Sequence, residues 1–142
     1  MKVCTVSACL LGFPCRYDGR AVADFSKKLE EEGYLPVPLC PEQLSGLPTP
    51  RDSCEIVGGD GYDVLCGEAM VKTRDGMDLT SNFLQGAKMA YRLCKIVKAE
   101  IFFAKNLSPS CGAGIIYDGS FTGNKKMGWG VTSAYLIKKG IT

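Results

Sequence analysis

The residues best suited to chemistry lie at 106–114, Asn-Leu-Ser-Pro-Ser-Cys-Gly-Ala-Gly. They follow Ile101-Phe102-Phe103-Ala104, an apolar run that reads as a buried strand. Ser108, Ser110 and Cys111 are thereby offered on a loop that Pro109 stiffens and two glycines release. In such a setting backbone can come close to a ligand. Cys9 follows the strand-like Val3 to Ser7, and Cys40 follows Tyr34 to Leu39. Three thiols that each end a strand suggest one shared site; the plain alternative is three unrelated, half-buried thiols. Soft thiolate donors select iron–sulfur or zinc over magnesium or calcium. Three ligands rather than four would leave one metal position open for a substrate. No Cys-x-x-Cys occurs, so the usual signatures of a zinc ribbon or a thioredoxin-like dithiol are missing.

Composition narrows the chemistry further. The 142 residues include no histidine, which removes Ser-His-Asp and Cys-His catalysis and the histidine-based zinc sites. Eight cysteines are many for a chain of this length. No signal-peptide pattern opens the sequence, so a cytoplasmic location is expected. In a reducing compartment such thiols bind metal or catalyse more often than they cross-link. A net charge of +2 gives no strong case for nucleic acid, and Lys125, Lys126, Lys138 and Lys139 read as solvated surface. Apolar runs fall short of the roughly 18 residues of a membrane span. At 46% apolar and 23% charged residues, the chain reads as one globular domain over 1–142.

The elements that must position these residues follow from periodicity. Lys2 to Ser7 and Tyr34 to Leu39 read as strands, the second kept irregular or at an edge by Pro36 and Pro38. Between them Asp24 or Ser26 starts a short helix that Gly33 stops. Cys40 to Arg51 reads as a loop. Ser53 to Val57 and Ala69 to Thr73 form a hairpin around the turn-rich 58–67. Thr80 caps a helix whose stripe is Phe83, Ala87, Ala90, Tyr91, Cys94 and Val97. Glu100 to Ala104 is a third strand, 117–130 is turn-rich, and a last helix runs from about Val131 to Lys139. The alternation implies an α/β three-layer sandwich with a mainly parallel, Rossmann-like central sheet and a small β-hairpin insertion. Parallel strands would put Cys9, Cys40 and Cys111 on one rim, where such sheets gather their functional loops. Cys4 and Cys94 read as core, Cys54 and Cys66 as structural or incidental, and Cys15 as a candidate fourth ligand.

Longer motifs carry a resemblance. Val6-Ser7-Ala8-Cys9-Leu10-Leu11-Gly12, Cys15-Arg16-Tyr17-Asp18-Gly19, Leu39-Cys40-Pro41-Glu42 and Gly46-Leu47-Pro48-Thr49-Pro50-Arg51 occur in this order. Ser108-Pro109-Ser110-Cys111-Gly112 and Tyr117-Asp118-Gly119-Ser120-Phe121-Thr122-Gly123 complete the set. Over nearly its whole length the chain resembles the thiouracil desulfidase-like family, long catalogued as a domain of unknown function. The resemblance implies a 4Fe–4S cluster held by Cys9, Cys40 and Cys111, with one iron left without a protein ligand. It also implies a catalytic glutamate and serine, matched by Glu42 and Ser108. The implied reaction is hydrolytic removal of sulfur from a thiolated base or nucleoside, thiouracil giving uracil and sulfide. Glu42 would serve as base or proton shuttle, and Ser108 would hold substrate or water. Arg16, Asp18, Arg51 and Ser110 are candidate substrate contacts on the rim.

Two competing readings remain at this stage. One is a structural or regulatory zinc module closed by four thiolates, Cys15 among them. The other is a cofactor-free cysteine enzyme of persulfide chemistry, with Cys111 as a nucleophile activated by loop amides.

Overall fold

The computed structural model describes residues 1–142. In chain order these form β1 (Lys2–Ser7), a 3-10 turn (Ala8–Leu10), α1 (Ser26–Glu31), β2 (Tyr34–Leu39) and α2 (Pro41–Leu44). β3 (Cys54–Val57), α3 (Gly61–Leu65), β4 (Met70–Thr73) and α4 (Thr80–Val97) follow. The chain continues through β5 (Phe102–Phe103), β6 (Ala113–Tyr117), β7 (Lys125–Trp129) and α5 (Val131–Lys138).

β1 lies between β2 and β5, and both pairings are parallel. The crossovers from β1 to β2 and from β2 to β5 therefore travel in opposite directions. Right-handed crossovers of opposite sense put their helices on opposite faces. The packing bears this out. Cys4 and Val6 of β1 pack with Leu29 of α1, whereas Thr5 Oγ1 meets Cys94 Sγ of α4 at 3.4 Å. The three layers expected from the alternation of elements are thus present. The largest apolar cluster joins Ile56, Val64, Val71, Phe83, Ala87, Ile116 and Val131, tying the antiparallel strands to α4 and α5.

The structure departs from the sequence reading in five places, the first being α1, whose N-cap position is Phe25, neither Asp24 nor Ser26, and has no side-chain cap. There are two hairpins rather than one, since β6 pairs with β7 as β3 does with β4. The Lys-Lys-Met-Gly-Trp strand within 125–129 lacks the alternation that would reveal it. Residues 58–67 hold α3, started by a reciprocal cap: Asp60 Oδ1 accepts from Tyr62 N at 3.0 Å and Asp63 Oδ2 accepts from Asp60 N at 2.8 Å. The supposed loop after Cys40 begins with α2, where Pro41 stands in the first turn and needs no N–H partner. Thr80 opens α4 but does not cap it; its hydroxyl accepts from Val71 N at 2.9 Å, and Asp78 accepts from Thr80 N at 2.9 Å.

Gly86 decides how closely α2 approaches α4. A Cβ there would lie 2.4 Å from the carbonyl oxygen of Pro41. Alanine gains about 1 kcal/mol over glycine inside a helix. Overpacking against backbone that cannot swing aside costs roughly 1–3 kcal/mol. Gly86→Ala is therefore expected to lower the thermal midpoint despite its better helix propensity. The displacement would fall on the Cys40–Glu42 segment, so a melting curve paired with an iron-uptake assay checks it.

Candidate active site

Each of the three strand-end thiols reaches the same cavity, a space of about 280 Å³ at the carboxyl rim of the parallel sheet. Cys9 sits in the 3-10 turn after β1, and its carbonyl accepts from Val22 N at 2.7 Å and Ala23 N at 3.2 Å. Cys40 is the half-buried residue between β2 and α2. Cys111 is buried on the loop after β5. Cys15 also lines the cavity and packs with Cys9 and Cys40. Hydrogen bonding to Cys15 lowers the Cys9 thiol and raises that of Cys40. Burial pushes Cys111 up to about 12, the reverse of the depressed thiol that a free cysteine nucleophile needs. Cys54, read from sequence as structural or incidental, lines the cavity too, and burial pushes it up to about 12.

The Cys111 loop is held by the start of α5. The amides of Gly130, Val131 and Thr132 donate to the carbonyls of Gly112, Pro109 and Ser110 at 2.8, 2.8 and 2.9 Å. Ser133 Oγ donates to the carbonyl of Cys111 at 2.8 Å. The loop thus satisfies amides that a helix start leaves without partners, and the helix in turn fixes the loop. Gly130 permits the contact, since a Cβ there would sit 2.4 Å from the Ser110 oxygen.

A polar chain runs along the wall beside the thiols. Arg51 Nε donates to Glu42 Oε1 at 3.1 Å, and Ser110 Oγ donates to Glu42 Oε2 at 2.9 Å. The Ser110 and Ser108 hydroxyls lie 2.9 Å apart, and Ser108 Oγ accepts from the amides of Ser110 and Cys111, each at 3.1 Å. Spacing alone paired Glu42 with Cys40 and Ser108 with Cys111; the fold joins the two pairs through Ser110. The remaining Arg51 donors reach Pro48 O at 3.2 Å, Thr49 Oγ1 at 3.0 Å and Cys15 O at 3.0 Å. Its guanidinium braces three segments. Arg16 lines the cavity with its guanidinium 5.7 Å from the centre of the Tyr17 ring. Asp18 stays outside the lining, pairing with Arg16 at 3.7 Å and accepting from Arg20 N at 3.1 Å.

Several wall residues escaped the sequence reading. Lys105 follows β5, its amide donating to Ser7 Oγ at 2.9 Å, and burial lowers its ammonium. Glu55, Arg74, Tyr117 and Phe121 also line the cavity. Glu55 left one signal, a carboxylate between Cys54 and Ile56 in a strand otherwise suited to burial.

The donor set fits an iron–sulfur cluster. The thiols stand around a space instead of converging on a point, and no three of the chain's cysteine, aspartate or glutamate side chains close on one metal ion. That geometry disfavours the closed zinc module. Four cationic side chains in the wall, Arg16, Arg51, Arg74 and Lys105, outnumber Glu42 and Glu55, which suits a group held by thiolates.

Comparison with known proteins converges on the same chemistry. The family model described as 2-thiouracil desulfurase matches residues 4–142. The uncharacterized protein YbbK of Bacillus subtilis (strain 168) is 44% identical over 136 residues, 95% of this chain and 89% of that protein. Among solved structures, the 4Fe–4S-dependent thiouracil desulfidase TudS matches with a TM-score of 0.84 and 40% identity. The match covers 99% of this chain and 88% of that one.

Proposed function

Because the chain belongs to the 2-thiouracil desulfurase family, we propose that residues 1–142 act as one desulfidase domain. It removes sulfur hydrolytically from thiolated pyrimidine bases or nucleosides, thiouracil giving uracil and sulfide with no net electron transfer. The observation that carries this reading is the meeting of Cys9, Cys40 and Cys111 with the Glu42–Ser110–Ser108 chain in one cavity. The three cysteines would hold a 4Fe–4S cluster, which when bound supplies a Lewis-acidic iron to polarise the thiocarbonyl.

The chain's own groups then move the proton. Ser108 passes its hydroxyl proton through Ser110 Oγ to Glu42 Oε2 and takes one from the attacking water. The two amides on Ser108 Oγ stabilise the charge that develops as it does so. Arg51 holds Glu42 Oε1 and leaves Oε2 aimed at Ser110. Arg51 and Ser110 thus act on Glu42 rather than on the substrate. Arg16 keeps a substrate-contact role at the mouth, with Asp18 steadying it. Lys105 sets its charge beside Cys9 and Cys111.

The substrate is a small thiolated ring, since a charge of +2 offers little electrostatic pull on nucleic acid. No helix is long and apolar enough to cross a membrane. Eight unpaired cysteines suit the reducing cytoplasm.

Anaerobic reconstitution with iron and sulfide, followed by incubation with 4-thiouracil, tests the reading. A brown protein that releases uracil and sulfide in equal amounts without an added reductant is the expected result. Failure to take up iron, or a brown protein that releases no sulfide from 4-thiouracil, would overturn it.

A further inference from the structure

The cavity wall holds two carboxylates in different states. Glu42 has both oxygens engaged, one by Arg51 and one by Ser110. Glu55 is 8% exposed and has no cationic partner within the chain. Its Oε1 accepts from the amides of Gly119 at 3.0 Å and Phe121 at 3.2 Å. Its Oε2 makes no hydrogen bond to any other residue. Glu55 lines the cavity, so this second oxygen is left to accept from a molecule bound there.

The segment that Glu55 holds is itself strained. Phe121 has φ of 59°, in the left-handed region that a bulky side chain avoids. Leu107, at 70°, is the other non-glycine residue of the cavity wall in that region. Backbone strain of this kind gathers where a ligand must be met in a fixed geometry. Phe121 lines the cavity as a flat apolar surface, and the Arg74 guanidinium lies 5.5 Å from its ring centre.

We propose that Glu55 is the residue that recognises the substrate ring, its Oε2 accepting the ring N–H next to the thiocarbonyl while Oε1 keeps Phe121 in place beside the ring. The inference rests on the desulfidase reading and deepens it. It assigns the preferred substrate class as six-membered thiolactams with a free N–H beside the C=S group. Rings alkylated at that nitrogen are disfavoured. Glu55 binds and positions; the proton chemistry stays with Glu42 and Ser108.

Glu55→Gln separates this role from a structural one, because the amide oxygen can still accept from Gly119 and Phe121. Only the atom facing the ligand changes, from acceptor to donor. The reconstituted wild type and Glu55→Gln are compared on 4-thiouracil and its N3-methyl derivative. Calorimetric binding of uracil and 3-methyluracil is measured in parallel. The variant should keep its iron content and melting temperature, with KM for 4-thiouracil raised about 10- to 100-fold by loss of a charge-assisted hydrogen bond. Change in kcat should be much smaller. The wild type's preference for the unmethylated ring should collapse in the variant, in turnover and in uracil binding alike. An unchanged KM and an unchanged preference would overturn the inference and leave the desulfidase reading intact. Should the wild type release no sulfide, the desulfidase reading fails, and uracil binding still decides for or against Glu55. Should Glu55→Gln not fold, equal binding of uracil and 3-methyluracil by the wild type would refute the proposal, and a clear preference for uracil would support it.

Discussion

Replacing Cys9, Cys40 or Cys111 singly by alanine is expected to abolish iron retention and sulfide release together. Cys15→Ala and Cys54→Ala should retain iron. Cys9 and Cys40 closely follow β1 and β2, and Cys111 lies on the loop after β5, so their backbones are held by the sheet, α2 and α5. Removing one thiolate would leave only two cysteines to hold the cluster. Cys15 packs against Cys9 and Cys40 but hangs from the 9–19 loop, and its carbonyl is committed to Arg51 at 3.0 Å. Iron and acid-labile sulfide per chain, with the visible spectrum, give the measurement. Iron loss in Cys15→Ala equal to that in Cys111→Ala would make Cys15 a ligand and close the position that substrate needs. Retention of activity in Cys9→Ala or Cys40→Ala, with loss in Cys111→Ala, would instead revive a thiol mechanism.

Glu42→Gln should lower kcat by about 10²- to 10⁴-fold, the usual worth of a positioned acid or base, with iron content and KM little changed. Glutamine can still accept from Arg51 Nε, so the brace across α2 and the 48–51 loop persists. What is lost is the acceptor at the end of the Ser108–Ser110 chain. The amide NH2 would face Ser110 Oγ as a donor and reverse the bond now 2.9 Å long. Anaerobic kinetics on 4-thiouracil check this directly. A variant with wild-type kcat would remove Glu42 from the proton path and leave it as a loop brace. Ser110→Ala serves as the companion, because it breaks the path while leaving the Arg51–Glu42 pair untouched.

Much of the site could be read before any fold was known. Strand, thiol and loop follow one another at Cys9, Cys40 and Cys111, and parallel pairing does the rest. The link between Glu42 and Ser110 could not be read so, because the two stand 68 residues apart and meet only through the sheet order. Arg51 looked like a free cation in a Gly/Pro loop; folded, its donors are turned onto neighbouring carbonyls, a hydroxyl and Glu42. The β6–β7 hairpin was hidden because each strand has a glycine, β7 opens on two lysines, and only one residue of each is fully buried. With it went part of the cavity wall, since Tyr117 ends β6 and Phe121 lies in the loop that follows, and Glu55 is tied to that loop by the amides of Gly119 and Phe121.

The grip of α5 on the Cys111 loop also ties the third thiol to the end of the fold that is distant in sequence from the other two. Cys9 and Cys40 follow β1 and β2, which pair with each other. The loop carrying Cys111 depends instead on the amides of Gly130 to Thr132. Fraying of α5 would therefore loosen one thiol of the three and leave the other two on paired strands. A site built so would bind its cluster only in a chain whose α5 has docked.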